Sequence, residues 1–254
     1  MTHAKVHIET RDGRPEAHVF RPASGATAPI PGVLFLMDGL GIRTALFDVA
    51  ERIAAGGYFV LLPDLFYRAG PYVAPDPKKV FTDPDARAAW AKTMANAITP
   101  AGVREDLRAF LAHLDATPEV ASDGRSIGVT GYCMGGTFAL SAAGWFPDKI
   151  ASVAAFHPGR VVTDDADSAH RAVAHAEGRV YVARASDDAS FTDEDLGVLE
   201  RALAEARVEH QIETYPAKHG WVLADTPVHD AGQAERHFDA LARLFGGTLR
   251  PSAS

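Results

Sequence analysis

The segment Ile127-Gly128-Val129-Thr130-Gly131-Tyr132-Cys133-Met134-Gly135-Gly136 constrains this chain more than any other. A β-branched run leads into it, and Gly135-Gly136 opens a helical pattern that runs to about residue 146. A strand that turns directly into a helix forces its central residue into a strained backbone. The residues two positions to either side must then lack side chains, or the turn clashes. Glycine occupies both positions, 131 and 135, around Cys133. The pattern is a nucleophile elbow with cysteine in place of serine. Such a turn aims the sulfur away from the sheet and sets it at a helix N-terminus, where backbone N–H groups and the helix dipole favour the reactive thiolate. An isolated free cysteine is otherwise a small buried hydrophobe. Here the flanking glycines, with strand and helix on the correct sides, favour the nucleophile.

Short apolar runs alternate with helical patterns on both sides of the elbow. Residues 32–37 and 58–62 are continuous apolar runs, as expected of strands buried on both faces. Ile42, Leu46, Val49 and Ile53 form an amphipathic stripe between them. Val103, Leu107, Phe110, Leu111 and Leu114 form another, with Thr99 as N-cap and Pro100 in the first turn. Further strands are expected at 126–130, 151–156, 179–183 and 210–215, with helices at about 136–146, 194–206 and 232–245. This alternation predicts an α/β fold, a mainly parallel sheet with helices on both faces, as a single domain over 1–254. The opening residues, from Met1 to about Phe20, look like an antiparallel hairpin at one edge. One insertion, at about 67–98, interrupts the pattern. Pro71, Pro75, Pro77 and Pro84 make its first part irregular, and a helix with Ala86, Trp90, Met94 and Ala97 on one face follows. It reads either as a lid or binding loop or as a surface detour.

Composition narrows the function classes. The net charge of −8, with no basic patch, argues against nucleic acid or an anionic membrane surface as a partner. The single cysteine excludes an intramolecular disulfide and any multi-cysteine metal site. Apolar runs fall far short of the roughly 18 residues needed to span a bilayer. The first residues lack the apolar core of a signal peptide, so a cytoplasmic protein is expected. No phosphate loop or dinucleotide fingerprint appears, and Asp164-Asp165-Ala166-Asp167 lacks the glycine and distal glutamate of a calcium loop. Neither cofactor nor metal is expected.

An elbow nucleophile needs a base and an acid further along, in the order nucleophile, acid, histidine. His219 is the expected base, because it lies in a loop after the last strand, at the sheet edge where catalytic residues of open α/β folds gather. His157, directly after a strand, is a weaker competitor that would line the pocket. His170, His175 and His237 read as solvated. The acid should follow the strand at 179–183. Asp187 and Asp188 both qualify, and spacing alone does not choose between them. Backbone N–H groups of Met134 and Gly39 are placed to receive negative charge on a carbonyl oxygen. Asp38 is expected near the sulfur, where it would tune ionisation. Trp90 and Trp221 are expected either as pocket walls or as packing residues.

These residues resemble the dienelactone hydrolase family of the α/β-hydrolase superfamily over nearly the whole chain. The likeness rests on Phe35-Leu36-Met37-Asp38-Gly39-Leu40-Gly41, on Gly57-Tyr58-Phe59-Val60-Leu61-Leu62-Pro63-Asp64-Leu65-Phe66, on the Gly131-Tyr132-Cys133-Met134-Gly135-Gly136 elbow, and on His219-Gly220. The resemblance implies a triad of Cys133, Asp188 and His219, and a small ester or lactone as substrate. Two positions depart from the family pattern. Asp38 stands where members carry a glutamate implicated in switching the thiol between resting and active states. Leu223 stands where members carry a carboxylate-binding arginine, and the family's second arginine falls near Arg87. A bidentate pair holds a small carboxylate in place, so losing one arginine weakens the case for a dienelactone carboxylate. A broad carboxylesterase or thioesterase is one alternative. A thiol-based redox or stress protein is another, and a non-catalytic binding module a third.

Overall fold

The computed structural model describes residues 2–23, 29–95, 97–121 and 124–249. Met1 of the expected hairpin and Asn96 of the insertion lie outside them. In chain order the strands are β1 (Thr2–His7), β2 (Glu16–Arg21), β3 (Ile30–Leu36), β4 (Phe59–Pro63), β5 (Val120–Ala121), β6 (Ile127–Tyr132), β7 (Ile150–Phe156), β8 (Arg179–Asp187) and β9 (His210–Lys218). They join one sheet in the order β1-β2-β4-β3-β6-β7-β8-β9, with the short β5 beside β3. Pairing from β4 to β9 is parallel throughout, and β1 and β2 form the expected antiparallel hairpin at one edge. This is the α/β-hydrolase architecture. The central strands β3, β4 and β6 are buried along almost their whole length, which is why they read as unbroken apolar runs.

The helices are α1 (Thr44–Ala55), α2 (Pro77–Thr82), α3 (Pro84–Met94), α4 (Pro100–Asp115), α5 (Met134–Trp145), α6 (Ala169–Val173), α7 (Asp193–Glu205) and α8 (Ala231–Thr248). The α1 stripe buries Leu46, Val49 and Ile53 as its spacing predicts. Arg52 of α1 hydrogen-bonds Glu235 of α8 and lies over the Phe238 ring, so these two helices sit side by side. No helix among the described residues is long and apolar enough to cross a membrane.

Two expectations are corrected. The 67–85 stretch is irregular only in part: 70–76 forms neither helix nor strand, but a short 3-10 turn (Tyr67–Ala69) precedes it and α2 follows it. Pro77 and Pro84 start helices rather than break them, as Pro100 does further on, whereas Pro71 and Pro75 lie in the irregular part. Asp76 accepts from Lys78 N ahead of Pro77, Asp83 accepts from Asp85 N ahead of Pro84, and Thr99 accepts from Gly102 N ahead of Pro100. Each is a side-chain N-cap followed by proline at the first helical position, where the missing N–H costs nothing. His237 is not solvated. It falls with Ala234, Leu241 and Leu244 on the buried stripe of α8, and its Nε2 lies 2.6 Å from the Tyr132 hydroxyl. Burial pushes its pKa down to about 3, so the ring is neutral.

Candidate active site

Cys133, His157, Asp188 and His219 are each the first residue beyond a strand: β6, β7, β8 and β9 respectively. These four strands are consecutive neighbours in the sheet. Parallel pairing puts their carboxyl ends along one edge, so four residues distant in sequence meet there. The register is explicit, since Tyr132 pairs with Phe156 and Asp187 with Lys218. Strand β8 runs four residues beyond the expected end at 183, and that extension carries Asp188 up beside His219.

Backbone contacts enforce the elbow. Cys133 has φ 53° and ψ −119°, a left-handed backbone unusual for a residue with a side chain. A Cβ on Gly131 would fall 2.1 Å from Gly135 O, and one on Gly135 would fall 2.3 Å from Leu36 O and 2.4 Å from Met37 O. Side chains at 131 and 135 are thus excluded by main-chain atoms that have nowhere to go. Cys133 N donates to Phe156 O at 3.1 Å, tying the turn to β7. The thiol is half-buried at the N-cap of α5, and Met134 N–H occupies the first helical position, where helix geometry offers no backbone acceptor.

The imidazole and its carboxylate are held just as closely. His219 Nδ1 lies 2.6 Å from Asp188 Oδ2. Asp188 Oδ1 accepts from Ser190 N at 2.8 Å and from Ser190 Oγ at 2.6 Å. Those bonds outweigh burial and hold the Asp188 carboxyl below its usual range. Asp187 points outward: its side chain is 75% exposed, 3.9 Å from Lys218 Nζ, whereas that of Asp188 is 3% exposed. Burial disfavours a charged His219, but the Cys133 sulfur and the hydrogen bond that His219 donates to Asp188 prevail and push its pKa up to about 10. His157 is fully buried, with its ring edge-on to His219 at 5.0 Å between centroids and to Trp221 at 4.8 Å. Neither of its nitrogens has a hydrogen-bond partner among the described residues, and burial holds it neutral.

A cavity of about 710 Å³ opens beside Cys133. Cys133, Met134, Asp38, Gly39, Arg87, Trp90, His157 and His219 all border it, and its walls are mostly apolar. Val80, Phe81, Met94 and Ile98 of the insertion also line it. Trp221 does not reach the cavity. It is fully buried and stacks on Tyr215 behind His157, a packing role fixed by the turn after His219. The Arg87 guanidinium is tied to main-chain carbonyls, with Nε on Val80 O at 3.0 Å and Nη2 on Phe81 O at 3.2 Å.

Sequence reasoning missed Arg43. Its Nη1 and Nη2 donate to Asp38 Oδ1 and Oδ2 at 2.7 and 2.9 Å, and its Nε donates to Asp225 Oδ2 at 2.6 Å. The pairing raises the Arg43 pKa despite burial. Asp38 therefore spends both oxygens on a guanidinium from its own loop. A buried carboxylate demands a partner, which is the one signal that could have pointed to an arginine five residues on.

A family model described as the dienelactone hydrolase family matches residues 16–249. The chain belongs to that family. Among its relatives is the carboxymethylenebutenolidase of Rhodococcus opacus, 28% identical over 221 residues, covering 85% of this chain and 79% of the relative. In three dimensions it is similar to a dienelactone hydrolase-like promiscuous phosphotriesterase from metagenomic libraries (TM-score 0.80, 22% identity, 98% of this chain and 99% of that one). It is also similar to a dienelactone hydrolase from Anabaena variabilis (TM-score 0.68, 17% identity, 98% and 99%). At these identities the structural likeness speaks for the fold alone.

Proposed function

We propose that this dienelactone hydrolase family member cleaves a carboxylic ester or lactone through a Cys133–His219–Asp188 triad and a thioester acyl-enzyme. The observation that carries the reading is the 2.6 Å bond from His219 Nδ1 to Asp188, with Cys133 at a strained elbow on the same cavity. Asp188 fixes the ring so that Nε2 turns toward the sulfur, and His219 holds the proton that Cys133 gives up. The thiolate attacks the carbonyl carbon, and the developing oxyanion is received by the N–H groups of Met134 and Gly39. The imidazolium returns its proton to the leaving oxygen as the thioester forms. Water, deprotonated by His219, then attacks the thioester and frees the acid and the thiol. The whole chain acts as one catalytic domain, with segment 67–98 as its cap.

The substrate class is a matter of the lining. Leu223 is buried, the walls of this cavity are mostly apolar, and Arg87 is its one arginine among the described residues, Arg160 lying on an adjoining pocket that also borders Cys133 and His219. These features favour an ester with an apolar acyl or aryl group over a small charged lactone, which makes a broad carboxylesterase the second reading. Turnover of a nitrophenyl ester tests the triad. Cys133→Ala should abolish it while the protein stays folded. Asp188→Asn should lower kcat by about 10³–10⁴-fold. Asp187→Asn should leave it nearly unchanged. Equal loss in the two aspartate variants, or full turnover without the sulfur, contradicts the reading.

A further inference from the structure

No steric clash demands glycine at 39. A Cβ built on it would meet nothing within 4 Å, and glycine has the widest backbone freedom of any residue. Hydrogen bonds on the following peptide hold its orientation. The peptide between Gly39 and Leu40 is gripped at both ends: Trp90 Nε1 donates to Gly39 O at 2.7 Å, and Leu40 N donates to Asp38 Oδ1 at 3.0 Å. The Asp38 end is itself immobilised by Arg43. The other end hangs on one indole from the cap. Trp90 belongs to α3, of which only Met94 is fully buried, and it packs against Phe66 and Tyr72. Tyr72, also in the insertion, receives Ile42 N at 3.2 Å, so the cap grips the same loop a second time.

We infer that Trp90 is a positioning residue that sets the Gly39 arm of the oxyanion site, so that seating the cap and aligning that N–H are one event. The inference rests on the acyl-transfer reading above. Trp90 touches no reacting atom; it acts through the Gly39–Leu40 peptide. Without the indole N–H, the peptide after Gly39 keeps only its Leu40 N bond to Asp38, and Gly39 N–H, on the other side of the same Cα, loses the anchor that holds it convergent with that of Met134 on one oxygen. Binding of the ground-state ester to the apolar walls survives, because the aromatic surface remains.

The test is Trp90→Phe, with a second variant carrying β-(3-benzothienyl)alanine at 90, which keeps the ring shape and replaces N–H by sulfur. In both, kcat for a nitrophenyl ester should fall about 10- to 100-fold with KM within about threefold, and a trifluoromethyl ketone, whose adduct places an oxyanion in the site, should bind weaker by the same factor. Alkylation of Cys133 by iodoacetamide builds no oxyanion and should keep its wild-type rate. Unchanged kcat in the benzothienyl variant overturns the inference, as does alkylation that falls in step with kcat. Cys133→Ala separates the two levels. If it is inactive while the Trp90 variants turn over normally, only the role of Trp90 fails. If it retains turnover, the triad reading and this inference fail together.

Discussion

Cys133 and Gly39 face the same cavity, but the fold holds them by different means. The cysteine turn is clamped by main-chain atoms: Gly135 lies under the carbonyls of Leu36 and Met37, and Cys133 N reaches Phe156 O. The Gly39 loop is held by side chains from three places, Arg43 at the start of α1, Asp225 in the loop after His219, and Trp90 in the cap. Main-chain clamping leaves a motif in the sequence, because only glycine fits. Side-chain bracing leaves none, because any polar residue arriving from any element could do it. The cysteine turn is thus built into the core, while the rim of the site is assembled from side chains of separate elements.

The difference can be broken from either side. Gly135→Ala has the largest expected effect. Its methyl must displace the carboxyl end of β3, so the variant should lose 3 kcal/mol or more, and ester turnover with it. Urea denaturation and the yield of soluble protein report this directly; wild-type stability would mean that the elbow is not the rigid element. Arg43→Gln comes next. It leaves Asp38 buried and under-paired, at a cost of about 3 kcal/mol. The surface pair between Arg52 and Glu235 is the control, and Arg52→Gln should cost no more than about 1 kcal/mol. Equal losses in the two variants would show that the rim needs no buried brace.

The smallest effect is in the pH dependence of stability. His219 has its folded pKa raised from 6.5 to about 10. A raised pKa means that the folded state binds the proton more tightly than the unfolded chain does. That stabilisation is complete below about pH 6.5 and drains away as the pH climbs toward 10. Melting curves of wild type and His219→Gln should therefore converge over that window. A gap that is constant, or that widens, contradicts the assignment.

Much of this was legible in the sequence, and what was not has a physical reason. The elbow, the parallel strands and the Thr99-Pro100 cap follow from local rules: a glycine pair, apolar runs and cap chemistry. Asp188 against Asp187 was open to spacing, because adjacent residues differ only in which way the strand turns them. The register pairing Asp187 with Lys218 turns Asp187 outward and leaves its successor facing His219. Pro77 and Pro84 of the insertion mislead, since proline punctuates loops and helix starts alike, and the aspartate before each of these two is the cue to a helix start. His237 was misread as polar when its place on the α8 stripe outweighed its chemistry. The Asp225 partner of Arg43 and the buried side of Trp221 lie beyond any local signal, because both depend on which loops the sheet brings together.

The most direct measurement is mass spectrometry of protein quenched within a turnover of nitrophenyl acetate and digested to peptides. A transient acetyl group on the Cys133 peptide is expected, accumulating in Asp188→Asn if deacylation slows more than acylation and absent from Cys133→Ala. Steady ester hydrolysis by the wild type with no acyl group ever found on that peptide would contradict the account.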